Sequence, residues 1–97
     1  MAENTRKIIV VEALAEVYKQ LFGKKIDEFQ LEDKLEVMVS GDWDKLTQWF
    51  VYVHEKLDVS AAYMPFKEKE KFHTFQDAVT YFEDRVKEEE STKKGLL

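Results

Sequence analysis

Cysteine is absent from this 97-residue chain, proline occurs once and glycine three times. Without cysteine there are no disulfides, no thiolate metal sites and no cysteine nucleophile, which agrees with a reducing compartment. The isolated Gly23, Gly41 and Gly95 cannot assemble a glycine-rich loop around a nucleotide phosphate. Long apolar runs are missing too: none approaches the ~20 residues that cross a bilayer. The short Ile-Ile-Val-Val run at residues 8–11 is followed at once by Glu12 and then Glu16, so the N-terminus does not read as a signal peptide and a cytoplasmic location is expected. There is no basic excess either. Fifteen Lys and Arg face twenty Asp and Glu, a net charge of −5. Such a chain lacks the cations that displace counterions from a nucleic-acid backbone. Neither nucleic-acid binding nor membrane insertion is expected.

What the chain does hold is apolar mass and charge. Hydrophobic residues make up 44% and aromatics 13%, the latter as seven Phe, four Tyr and two Trp, enough for one aromatic-rich core across residues 1–97. Val10, Val11, Leu14, Val17, Tyr18 and Leu21 recur at helical spacing and predict a first helix over residues 5–22, stopped by Gly23. Residues 24–39 form a long connection whose Ile26, Phe29, Leu31, Leu35, Val37 and Val39 fit no single period. They are expected to plug a bundle, with a short helical turn around 31–37. Asp42 is a good N-cap for a second long helix ending near Asp58, and Asp44 in its first turn suits the helix dipole. Leu46, Trp49, Phe50, Val53 and Leu57 line one face of that helix. Val51 and Tyr52 widen the stripe, which makes it the expected central helix.

Beyond it, Pro65 and the alternating charges of residues 67–71 mark a solvated loop or short helix. Thr74, with Asp77 three positions on, starts a last helix on Phe75, Ala78, Val79, Phe82 and Val86. Periodicity fades after Glu88, so the ordered part is expected to span about 6–87 with a frayed tail. The fold class is all-α, three long helices and a possible short one.

Candidate chemistry is sparse. His54-Glu55-Lys56-Leu57-Asp58 lacks the second histidine of the zinc-protease helix motif, and His73 is distant, so no metal site is expected. His54 reads as a helix-surface residue. Adjacent acids such as Glu32-Asp33, Glu83-Asp84 and Glu88-Glu89-Glu90 point to different helix faces, whereas acid–base hydrolysis needs two carboxyls across a cleft. No enzyme constellation emerges. A helix-turn-helix DNA reader is excluded by the long connection and the mixed charge of the second helix.

The layout nevertheless resembles a known family. Leu35-Glu36-Val37-Met38-Val39-Ser40-Gly41-Asp42 is similar to the approach to the Asp-Ser-Leu motif of acyl carrier proteins, small acidic four-helix domains that carry thioesters on a phosphopantetheine arm. His73-Thr74-Phe75-Gln76-Asp77-Ala78-Val79-Thr80-Tyr81-Phe82 resembles the start of their last helix, and residues 49–57 lie where they have their hydrophobic second helix. The similarity covers about residues 6–87.

The resemblance places Asp42-Trp43-Asp44 on Asp-Ser-Leu, and only the aspartate matches. An indole has no hydroxyl for the phosphodiester that attaches the arm. Ser40 is the nearest hydroxyl. It could carry 4'-phosphopantetheine only if the helix began a turn earlier, with Gly41 in its first turn and His54 at a position where the family keeps a large apolar side chain. Ser60 and Ser91 are poorly placed. The resemblance therefore implies an acyl-carrier-like domain without a cofactor, acting through a protein partner bound at Trp43, Asp44 and Gln48. Trp43 itself reads either as a lid over Leu35 and Val39 or as an exposed anchor. A functional carrier modified on Ser40 and an unrelated helical adaptor are the alternatives.

Overall fold

The computed structural model describes residues 3–25, 30–62 and 67–95, with side chains from residue 4 to residue 90 within those ranges. Its helices are α1 (Glu3–Phe22), α2 (Leu35–Met38), α3 (Trp43–Leu57) and α4 (Phe75–Gly95), with a 3₁₀ turn at Lys69–Lys71 ahead of α4. No strand occurs among the described residues beyond one isolated bridge, Lys34 with Thr74. The chain is all-α. Ile26, Phe29 and Pro65 lie outside the described residues.

Helix α1 buries Val10, Ala13, Leu14, Val17 and Tyr18, the i, i+3, i+4 stripe that its sequence spells out. Gly23, at φ +70°, ends it by returning its amide to the Lys19 carbonyl at 2.9 Å. This helix, rather than α3, is the shared one, because it packs closely against both α3 and α4. Helices α3 and α4 meet each other through long side chains instead. The Phe50 and Phe82 ring centroids are 5.1 Å apart, and Phe72 bridges Phe50 and Tyr81. Edge-on ring contacts of this kind match the quadrupoles of aromatic side chains.

The long connection is tied down by backbone bonds that no side-chain pattern advertises. The first amides of any helix lack partners within it. Here Phe75 N donates to the Asp33 carbonyl and Gln76 N to the Leu31 carbonyl, both at 2.9 Å, while Leu35 N donates to the His73 carbonyl at 2.9 Å. The Thr74–Asp77 capping box forms as its spacing predicts. Asp77 N donates to Thr74 Oγ1 at 3.3 Å, and Asp77 Oδ2 accepts from the amides of Thr74 and His73. The Tyr18 hydroxyl donates to the Met38 carbonyl at 2.7 Å, joining α2 to α1.

Other sequence expectations change as well. The helical turn in the connection is α2, at Leu35–Met38, rather than around 31–37. Of its residues Leu35 and Met38 are buried, one turn apart, whereas Val37 is 64% exposed instead of plugging the core. In α3 the residues Val51 and Tyr52 are exposed, at 37% and 41%. A 100° step per residue carries them to the side opposite Leu46, Trp49, Phe50 and Val53. Finally, α4 continues to Gly95 beyond Glu88, and its later turns are joined to α1 by the Arg6–Glu90 ion pair at 2.9 Å.

Candidate functional site

The start of α3 is shaped by two consecutive left-handed residues. Ser40 has φ +54° and Gly41 +77°, and the amides of Ser40, Gly41 and Asp42 fold back onto the carbonyls of Val37, Glu36 and Val39. That reversal closes α2 and aims the chain into α3 with no spare residue. Asp42 is the N-cap, in extended conformation, and its Oδ1 accepts the Lys45 amide at 3.1 Å. Trp43 is thus the first helical residue, and the earlier helix start that attachment on Ser40 would require is not adopted. Ser40 stays in the turn, exposed.

Trp43 is half-buried against the core, and the Lys69 ammonium sits 5.3 Å from its ring centroid, within cation–π range. Its carbonyl accepts the Thr47 hydroxyl at 3.0 Å. The ring therefore joins the corner of the bundle to the 3₁₀ turn while remaining partly exposed. Asp44 and Gln48 are exposed.

Along α3, Asp44, Gln48, Val51, Tyr52 and Glu55 succeed one another at spacings of four, three, one and three, which places them on one outward face. Gln48 Nε2 reaches the Tyr52 hydroxyl at 3.5 Å, a long contact. Tyr52 also borders a shallow groove between α1 and α3 with Val17, Gln20, Glu55 and Lys56, about 400 Å³ in volume. Lys56, one of its lining residues, is paired with Glu16 of α1 at 2.9 Å. Asp44 and Gln48 thus share a surface with the large apolar side chains of Val51 and Tyr52, which widen the apolar stripe in the sequence but do not join the core. The signal was present: Val51 and Tyr52 fall outside the 46, 49, 50, 53, 57 series once the helical period is counted strictly.

His54 is not on the surface. It is 6% exposed, with Nδ1 2.6 Å from the Phe50 carbonyl and Nε2 2.7 Å from the Tyr81 hydroxyl. A carbonyl only accepts, so Nδ1 carries the proton and the neutral ring accepts at Nε2 from Tyr81. Burial holds its pKa below the ordinary histidine value, aided by the nearby Arg85 charge and opposed by the bond to Phe50. In the folded chain His54 lies on the flank of α3 toward α4, and the packed Tyr81 and Phe82 rings close over it.

His73 is exposed, and among the described residues no three His, Cys, Asp or Glu side chains converge in a way that could hold a metal ion. No helix among them is long and apolar enough to cross a membrane. No protein-family model matches the chain, and comparison with curated proteins and with solved structures gives no match.

Proposed function

We propose that this chain is a divergent acyl-carrier-like domain that lacks a phosphopantetheine arm and works by binding a protein partner. The observation that carries this reading is the outward face of α3, where the exposed Val51 and Tyr52 stand between Asp44, Gln48 and Glu55. Apolar and aromatic side chains exposed on a helix face, ringed by polar ones, are the usual make-up of a protein-binding patch. Trp43 supports the same conclusion. It follows the N-cap aspartate directly, where the resembling family has its serine, and its indole offers no oxygen to phosphorylate. Half-buried under Lys69, it adds partly exposed apolar surface and steadies the corner beneath it.

The test has two arms. Incubated with coenzyme A and a broad-specificity phosphopantetheinyl transferase, the protein keeps its intact mass while a genuine carrier run alongside gains one arm. A gain that disappears in Ser40→Ala would overturn the reading in favour of a working carrier. In the second arm, proteins captured by the wild type are compared with those captured by Val51→Asp and Gln48→Ala. Both variants keep the helical circular-dichroism spectrum, and loss of the same partner from both is the expected result. Capture unaffected by either change sinks the assignment of this face.

A further inference from the structure

The stretch that follows α3 is fastened at several points. Asp58 caps α3 in the left-handed region, its amide and that of Val59 returning to Glu55 and His54 carbonyls. Ser60 is gripped from both sides by α4: Arg85 Nε donates to its carbonyl at 2.7 Å, and its amide donates to Glu89 Oε1 at 3.2 Å. Two residues on, the Ala62 amide donates to the Tyr81 hydroxyl oxygen at 3.0 Å. That oxygen is the one 2.7 Å from His54 Nε2.

We propose that residues 59–62 are held by a proton-sensitive latch in which the Tyr81 hydroxyl bridges the buried His54 ring and the Ala62 amide. The direction of each bond follows from the atoms. Phe50 O accepts a hydrogen bond from Nδ1–H, so Nε2 is the acceptor and Tyr81 is the donor to it. The same phenolic oxygen then receives the Ala62 N–H with a lone pair. A second proton on the ring lands on Nε2 and turns that acceptor into a donor. The Tyr81 O–H must rotate out of the bond, and its oxygen must then serve two N–H donors at once. The Tyr81 hydroxyl proton has lost its buried acceptor, and the closed arrangement now encloses a charged ring.

The charged surroundings favour the opening. Arg85, the charge on α4 that the ring feels, repels an imidazolium. On α3 itself Glu55 and Asp58 are exposed to water, and Glu89 on α4 is engaged with Ser60. From α1 the Glu16 carboxylate is paired with Lys56, and Lys69 of the 3₁₀ turn is over Trp43. Moving the segment away lets water reach the charged ring while the rings of Phe50, Phe72 and Phe82 keep their mutual contacts.

The sign follows from burial. The neutral ring is the form that the closed latch prefers, so closure is complete above the ordinary histidine value and is lost as pH falls below it. Amide exchange by NMR, from about pH 7.5 to about pH 5, reads this together with the His54 ring shifts. The expected result is a protection factor at Ala62 that drops about tenfold per pH unit while the ring takes up its proton. Ala62 reaches unprotected rates while Leu14 and Val79 amides remain protected. Tyr81→Phe, which keeps the ring packing, leaves Ala62 unprotected at every pH. In His54→Gln, whose amide is polar but does not titrate, the slope disappears. The latch is refuted if Ala62 protection stays flat while the ring titrates, if it always equals that of the core amides, or if the ring takes no proton before the whole protein unfolds.

Discussion

At the scale of single residues, the chain relies on polar atoms carried on large aromatic bodies. Trp49 is fully buried, and its indole N–H donates to the Leu14 carbonyl at 3.0 Å, a bond between α3 and α1 that spans 35 positions of sequence. Its ring lies 5.0 Å from Tyr18 and 5.6 Å from Phe50. Trp49→Phe removes the donor and leaves a partial void, and is expected to cost about 2 kcal/mol in a urea unfolding titration. A cost near zero would mean that the core closes around the smaller ring and that the hydrogen bond adds nothing. His54 follows the same logic with a titratable group in place of the indole. A histidine in a helical sequence reads as solvated until the neighbouring helix is known, because a ring with two polar atoms is buried only where both find partners.

At the scale of the helices, ends matter more than middles. The entrance to α3 depends on two features that are local in sequence, the Asp42 cap and the positive φ of Gly41. Space is not the limit at Gly41, since nothing lies within 4 Å of where a Cβ would stand. The cost of a side chain there is the left-handed backbone alone, about 1 kcal/mol for Gly41→Ala. Asp42→Ala forfeits the bond to the Lys45 amide at a similar cost, about 1 kcal/mol. Thermal unfolding of each variant checks both values, and a shift of less than about 2 °C in either would contradict the role given to that residue. The entrance to α4 is built differently. Its Thr74–Asp77 box is local, but the Phe75 and Gln76 amides are satisfied by the Asp33 and Leu31 carbonyls from the middle of the chain's long connection. The connection is therefore part of the helix start, which accounts for its length.

For the molecule as a whole, α1 is the beam on which α3 and α4 rest, and its first turns are held by the end of α4. Arg6 and Glu90 are 13% and 26% exposed at their side chains, so their ion pair is sheltered from most of the solvent. Glu90→Ala leaves the guanidinium partly buried without that carboxylate, and a loss of about 1 kcal/mol is expected in urea, shrinking at high salt. An unchanged midpoint would show that this ion pair adds nothing to the bundle.

What the sequence by itself determined is whatever depends on neighbours within one turn or one cap. The all-α class is one such property. The three long helices, the Asp42 and Thr74 caps, the Gly23 stop and most buried positions of α1, α3 and α4 belong with it. These rest on the helical period and on side chains meeting amides three residues away, which a chain carries in its order. Tertiary structure alone decided the rest. Val37 faces outward and His54 inward because the direction of each neighbouring helix sets which flank is covered. The same packing holds Ala62 on Tyr81 and brings Glu90 to Arg6, contacts between residues far apart in the chain. Apolar character states only that a side chain gains by burial; which ones are buried depends on where a second helix can reach.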